Sequence, residues 1–157
     1  MLEAGGVIGP AKGSAPRLVN VPQKVKLLVV TDDSVIADDM KEQFEQTGYE
    51  VVTRSDANGD FVERVMRIKP DIMSLDELMP GRTGLEALQL LQQDERTKKI
   101  PVMAFGNVGG SSAIACVKHG AVDYHLLSEV TTDELVDAYS EYLNDPENYS
   151  PRVASIR

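Results

Sequence analysis

The sequence predicts an α/β fold in which helices cover both faces of a doubly wound, five-stranded parallel sheet. Five short runs of apolar and β-branched residues alternate along the chain with five amphipathic stretches of helical length. Residues typical of helix starts and ends bound several of these stretches. The length of 157 residues suits one compact domain with a substantial hydrophobic core.

The predicted strands are the runs richest in valine, isoleucine and leucine. They cover residues 25–30, 50–53, 71–75, 100–105 and 122–127. The predicted helices are marked by capping residues or by apolar residues that recur on one face. The first helix runs from its cap Ser34 to Gly48, the second covers residues 59–68, and the fourth covers residues 111–119 and ends at Gly120. Capping boxes mark the start of the third helix, at Thr83 and Glu86, and of the fifth, at Thr131 and Glu134.

Both ends of the chain differ in composition from the part between them. Residues 1–23 are rich in glycine, alanine and proline and lack periodicity, so we predict a flexible N-terminal segment. The predicted domain covers residues 24–143. Residues 144–157 are polar and contain two prolines, which predicts a loosely held C-terminal tail.

Charge and cysteine content restrict the possible partners. The formal net charge is −9 and the isoelectric point about 4.7, which argues against nucleic acid and anionic membranes as direct partners. We expect a protein partner instead. The lone Cys116 lies among apolar residues, which favours a packed thiol and a reducing, cytoplasmic location. No apolar run approaches the roughly 18 residues that cross a bilayer.

A carboxylate at the end of the third predicted strand is the strongest functional signal. Residues 70–76 form a short, largely apolar run that ends in Asp76, and the turn Met79-Pro80-Gly81 follows. At the carboxyl end of a parallel strand, a side chain faces the crevice in which α/β proteins bind ligands. Asp76 is therefore the first candidate site residue.

Several stretches together resemble the receiver domain of bacterial two-component response regulators. They are residues 29–34, residues 70–76 with Met79-Pro80-Gly81 and Gly84, residues 100–102 and residues 120–124. The resemblance covers about residues 24–143. It implies the flavodoxin-like receiver fold with strand order 2-1-3-4-5, and transfer of a phosphoryl group from a histidine kinase to Asp76.

The same resemblance implies a Mg²⁺ ion beside Asp76, because Mg²⁺ prefers hard oxygen ligands and neutralises phosphate. It assigns the backbone carbonyl of Leu78 as a ligand and places Thr31 and Asp32 at the family's two acid positions, so a hydroxyl replaces one carboxylate. Asp33 is either a compensating ligand or, as we favour, a solvated residue near a helix N-terminus. We expect Mg²⁺ binding to be weak or absent, and we expect no organic cofactor.

Two further positions lack the group that the family places there. Gly106 replaces a serine or threonine that would bond the phosphoryl oxygens, and Leu127 replaces a lysine. An ammonium about 4 Å from a unit negative charge contributes about 4 kcal/mol at an effective dielectric of about 20, before desolvation. Arg82 is a nearby cation, for which a solvated loop position is favoured. Tyr124 holds the position of the family's switch aromatic residue, which changes rotamer when the serine or threonine moves toward the phosphate. Gly106 lacks the hydroxyl for this movement.

We therefore interpret the chain as a degenerate receiver, not an enzyme, that acts mainly through protein contacts. The family's contact face, built from the fourth helix, fifth strand and fifth helix, is compatible with an effector or a homodimer. It is expected to offer Ile114, Val117, Leu135 and Tyr139. One alternative is a working receiver that slowly accepts phosphate on Asp76. The other is a flavodoxin-like nucleotide or flavin binder, which the lack of a glycine-rich loop after the first strand disfavours.

Overall fold

The computed structural model describes residues 24–107 and 110–155, and the predicted N-terminal segment 1–23 lies outside them. Five strands and five α-helices alternate in this described part. The strands are β1 (Lys26–Val30), β2 (Glu50–Arg54), β3 (Ile72–Asp76), β4 (Val102–Gly106) and β5 (Asp123–Leu126). The helices are α1 (Ser34–Gln46), α2 (Phe61–Ile68), α3 (Gly84–Gln93), α4 (Ser111–Lys118) and α5 (Thr132–Asn144). Two 3₁₀ helices follow, Pro146–Asn148 and Arg152–Ser155.

The strands form one parallel sheet in the order β2-β1-β3-β4-β5, which confirms the predicted fold class and strand order. Every residue of β3 and β4 is buried. Strands that are covered on both faces need apolar residues along most of their length, which explains why these runs were recognisable. Asp76 pairs in register with Phe105 of β4, so it lies at the carboxyl edge of the sheet.

Two apolar clusters cover the two faces of the sheet. One packs the sheet against α2, α3 and α4 and includes Leu28, Met73 and Leu88. The other packs it against α1 and α5 and includes Phe44 and Tyr139. The sheet therefore separates two hydrophobic cores. No described helix is long and apolar enough to cross a membrane.

Capping residues set the helix starts, with one change from the prediction. Thr83 and Thr131 each close a capping box, with Glu86 and Glu134. The first helix is capped by Asp33 instead of the predicted Ser34, because the Asp33 carboxylate accepts the N–H groups of the first turn at 3.0 and 3.2 Å. A carboxylate also suits the positive end of a helix better than a hydroxyl does.

The expected exposure of the fifth helix is wrong. Leu135 and Tyr139 were predicted on an accessible face, but their exposed fractions are 2% and 0% because that face packs against the sheet. The Tyr139 hydroxyl shares a hydrogen bond of 2.6 Å with Ser74 of β3. Of the predicted contact residues, Ile114 is 56% exposed and Val117 is half-buried.

The predicted loose C-terminal tail also differs from the structure. Residues 146–155 contain the two 3₁₀ helices, and this segment contacts β5 and α5. Val153 packs against the apolar cluster that α2, α3 and α4 cover. The polar composition predicted disorder because it did not reveal that a buried acid on β5 binds this segment.

His125 is buried in β5. Its exposed fraction is 2%, and its ring lies 5.8 Å from that of Tyr139. Burial lowers the pKa of His125, the charge of Arg152 acts in the same direction, and the Asp123 carboxylate 3.5 Å away opposes both.

We expect His125 to make the protein less stable in mild acid. A histidine whose folded pKa is lowered stays neutral in the fold, so its contribution is complete above the unfolded pKa of about 6.5 and is lost as the pH falls below it. His125→Gln should therefore flatten the loss of unfolding free energy between pH 7.5 and 5, which can reach about 1.4 kcal/mol per pH unit. Denaturant melts at several pH values measure this.

The exposed His119 at the end of α4 offers a matched control. His119→Gln removes an exposed imidazole, so it separates the effect of the buried position from the effect of losing a histidine. An identical pH profile for wild type and His125→Gln would show that His125 does not titrate on unfolding.

Candidate functional site

Asp76 ends β3 with both carboxylate oxygens hydrogen-bonded. Its exposed fraction is 8%. The Thr31 hydroxyl donates to Oδ2 at 2.6 Å, and the Leu78 N–H donates to Oδ1 at 3.0 Å. The candidate acceptor is thus a buried carboxylate that neutral donors hold in place.

Thr31 follows β1 and is itself fixed from two sides. Its N–H donates to the Arg54 carbonyl at 3.0 Å, and its hydroxyl oxygen accepts the Asp33 N–H at 3.1 Å. The side chain is 3% exposed. The hydroxyl therefore connects the turn after β1 to Asp76.

The two acids beside Thr31 act on Asp76 only through their charge. Asp33 caps α1 and is exposed, so its Oδ1 points to the helix N-terminus. Burial raises the pKa of Asp76, the hydrogen bonds from Thr31 and Leu78 lower it, and the charges of Asp32 and Asp33 raise it again. Among residues 24–107 and 110–155, no group of three or more His, Cys, Asp or Glu side chains converges to hold a metal.

No cation replaces the missing lysine in the described part of the chain. Leu127 is half-buried against the cluster that α1 and α5 cover, and it lines a groove of about 380 Å³ between these helices. The Arg82 guanidinium donates to the carbonyls of Ala57 and Gly59 at 2.7 and 3.1 Å, which ties it to the loop before α2. Arg82 is therefore held by the loop before α2 and is not the solvated loop residue that we expected. Within the described residues, Asp76 forms no ion pair.

Tyr124 occupies the space that a side chain at position 106 would need. A Cβ atom built on Gly106 would lie 2.4 Å from the Tyr124 hydroxyl oxygen and 3.2 Å from Cβ of Glu77. Tyr124 is fully buried. The sequence identified both positions separately, but only the structure shows that the inward tyrosine requires the glycine.

Glu77 is a member of this region that the sequence analysis did not select. It is 8% exposed, and its Oε1 atom has no hydrogen-bond partner in the described part of the chain. Burial raises the pKa of the Cys116 thiol to about 11, and the Glu77 charge adds to this. A glutamate directly after a candidate acceptor gives no sign in the sequence that it is buried. Only the three-dimensional structure shows that its side chain turns inward.

Comparison with known proteins identifies the family. Residues 27–140 match the family model described as the response regulator receiver domain. The chemotaxis protein CheY of Listeria monocytogenes serovar 1/2a is 31% identical over 115 residues, which are 73% of this chain and 94% of that protein. A protein-glutamate methylesterase/protein-glutamine glutaminase of Thermotoga maritima is 27% identical over 134 residues, 82% of this chain but 39% of that enzyme. The chain thus spans well under half of the methylesterase relatives.

Solved structures agree with this match. The receiver domain of the Francisella response regulator 1452 is 25% identical, covers 80% of this chain and 100% of its own, and superposes with a TM-score of 0.65. A putative response regulator from Chloroflexus aurantiacus is 29% identical, with coverage of 78% and 98% and a TM-score of 0.66.

We expect Gly106→Ala to destabilise the protein through Tyr124. The added methyl overlaps the tyrosine hydroxyl, and overpacking of this kind costs about 1–3 kcal/mol. In a Tyr124→Phe background the same change should cost less, because the nearest ring atom, Cζ, is 3.3 Å away. Denaturant melts of the two single variants and the double variant give the coupling energy.

Tyr124→Phe alone is the matched reference for this cycle. Equal costs of Gly106→Ala in both backgrounds would show that the tyrosine hydroxyl does not restrict position 106.

Proposed function

The chain belongs to the response regulator receiver domain family, and we propose that it is a degenerate receiver that acts mainly by binding another protein. The observation that carries this proposal is the buried Asp76 carboxylate, which a threonine hydroxyl and a backbone N–H hold without a counter-charge. A phosphoryl acceptor of this kind needs a metal ion and positive charge at the incoming phosphate.

Three positions around Asp76 support the same proposal. Thr31 offers a hydroxyl where a second acid would bind Mg²⁺, Gly106 offers no hydroxyl, and Leu127 offers no ammonium. The Tyr124 hydroxyl fills the space beside Gly106, so the aromatic position is not free to follow a moving hydroxyl residue. Even half of the lysine's charge interaction, about 2 kcal/mol, slows phosphotransfer more than tenfold.

A weak metal site is part of this proposal. Asp32, Asp76 and the backbone carbonyl of Leu78 are the residues that would hold Mg²⁺, together with water. To recruit Asp33 as a further ligand, the protein would have to give up the α1 cap, which costs about 1 kcal/mol. Metal binding at this site should therefore be weaker than at a site in which two acids after β1 bind the metal.

We assign the chain a non-enzymatic role in the cytoplasm. Its methylesterase relatives are more than twice as long as the part that this chain covers, so their activity is not transferred to it. Cys116 is buried and free, which suits a reducing compartment. A protein partner fits the acidic surface better than nucleic acid or an anionic membrane.

The second candidate function is a receiver that is slowly phosphorylated on Asp76 by a histidine kinase. The retained Asp76 and Asp32 favour it, because two carboxylates and water are enough for a weak Mg²⁺ site. The two candidates differ in whether phosphate reaches Asp76 at a useful rate.

We expect wild-type protein to gain little phosphate from acetyl phosphate and Mg²⁺. Thr31→Asp/Leu127→Lys restores one acid and one ammonium without disturbing Gly106, and it should accelerate the gain about tenfold or more. Intact mass spectrometry measures one added phosphate, and a further Asp76→Ala change should abolish it.

The uncharged double variant Thr31→Asn/Leu127→Met is the matched control and should behave like wild type. Rapid, complete phosphorylation of wild-type Asp76 would contradict the degenerate assignment and favour the second candidate.

We also expect Asp76→Asn to leave signalling intact. Asparagine can keep a bond to Thr31, but it cannot form the acyl phosphate. A chromosomal Asp76→Asn allele should therefore give the wild-type phenotype, in contrast to a deletion of the gene. Loss of function in a variant with wild-type circular dichroism and melting temperature would show that phosphorylation is required.

A further inference from the structure

The segment 146–155 returns along β5, which is an edge strand of the sheet. We propose that this segment is an intramolecular ligand for a binding site on β5, and that a protein that contacts this edge must displace it. The proposal rests on the proposed function only in assuming that the domain acts by protein contact. Binding of the segment itself can be tested without a partner and without phosphate.

The centre of this binding site is Asp123, the first residue of β5. Its side chain is fully buried. From the segment, the Arg152 N–H donates to Oδ2 at 2.7 Å, the Val153 N–H donates to Oδ1 at 2.8 Å, and the Tyr149 hydroxyl donates to Oδ2 at 2.5 Å. The Tyr124 N–H supplies a further bond to Oδ1 at 2.8 Å. The segment thus provides three of the four donors in these hydrogen bonds to Asp123.

Removing the segment would replace three protein donors to the Asp123 carboxylate with water. A buried charge is tolerated when hydrogen bonds satisfy it, and bonds to an ionised group are the stronger ones. Asp123 would keep the Tyr124 N–H and the nearby ring of His125, and it would lose the other donors. The acid therefore selects a segment that offers two consecutive N–H groups and a hydroxyl.

Side chains of the segment add specific contacts with α5. The Tyr149 ring meets the Tyr142 ring edge-on at 5.6 Å between centroids. The Arg152 guanidinium lies 5.3 Å from the centre of the Tyr149 ring and bonds Glu141 at 2.7 Å. Burial and the bond to Asp123 raise the pKa of Tyr149, so its hydroxyl stays protonated and available as a donor.

The position of the segment explains why β5 can be an edge strand. In the described sheet β5 pairs with β4 alone, so its outer side would present unpaired N–H and C=O groups. Proteins commonly cover such an edge with a helix or loop, because an open edge can pair with another chain. Here the chain's own segment covers the edge at Asp123, the first residue of β5. Among the residues predicted for this face, Ile114 of α4 remains exposed.

Trypsin tests the docked state on the full chain. The Arg152–Val153 bond lies within the part of the segment that Asp123 holds, so cleavage there should be slow in wild type. Asp123→Asn should accelerate it about tenfold or more, and Tyr149→Phe should accelerate it severalfold, because each weakens bonds to a charged group. Tyr142→Phe, the same chemical change in the ring that packs edge-on against Tyr149, should leave the rate unchanged.

A peptide tests the binding site separately from the fold. A fluorescent peptide with the sequence of residues 145–157 should bind in trans to full-length Tyr149→Ala, whose own segment is weakened while Asp123 is intact. It should bind at least tenfold more weakly to wild type, where the chain's own segment competes, and to Asp123→Asn/Tyr149→Ala.

Fluorescence anisotropy measures this binding, and a scrambled peptide is the control. Equal trypsin rates in wild type, Asp123→Asn and Tyr149→Phe would overturn the proposal. Equal peptide binding to Tyr149→Ala and to the double variant would overturn it too. Either result would leave the proposed function standing, because neither assay involves phosphate or a partner.

Discussion

The buried carboxylate of Asp76 is the constraint around which the carboxyl edge of the sheet is arranged. The strand that carries it is covered on both faces, so its last side chain cannot avoid a largely apolar environment. In this chain the Thr31 hydroxyl and the Leu78 N–H bond the two carboxylate oxygens. Burial, together with the charges of Asp32 and Asp33, raises the pKa of Asp76 by more than these two hydrogen bonds lower it.

Strand β5 joins the altered pocket to the C-terminal segment. Side chains alternate along a strand. Tyr124 therefore faces the apolar cluster that α2, α3 and α4 cover, whereas Asp123 and His125 face the opposite side of the sheet. The Tyr124 N–H also donates to the Asp123 carboxylate that holds the segment. The residue that fills the space beside Gly106 and the acid that binds the segment are therefore neighbours on one short strand.

The sequence was sufficient for those features that local patterns encode. Two capping boxes, the alternation of strands and helices, and the position of Asp76 followed from short stretches, and the strand order followed from the resemblance. The contacts that decide the site join distant residues, such as Thr31 with Asp76 and Asp123 with Tyr149. Local composition does not encode these pairs. A polar tail consequently appeared loose, and Glu77 was not selected as a site residue.

The two departures from an ordinary receiver have a common consequence for where a signal can enter. In the degenerate receiver that we propose, a carboxylate without a counter-charge is a poor site for a metal and a phosphoryl group, so the energy for a change of state would come from elsewhere. At β5 that energy is available, because a partner that replaces the segment 146–155 exchanges one set of bonds to Asp123 for another. Such an exchange shifts the protein only to the extent that the partner binds β5 better than the segment does. Specificity in this protein would then depend on competition for a buried acid at the edge of the sheet, while Asp76 keeps a structural role beneath the turn that Thr31 holds.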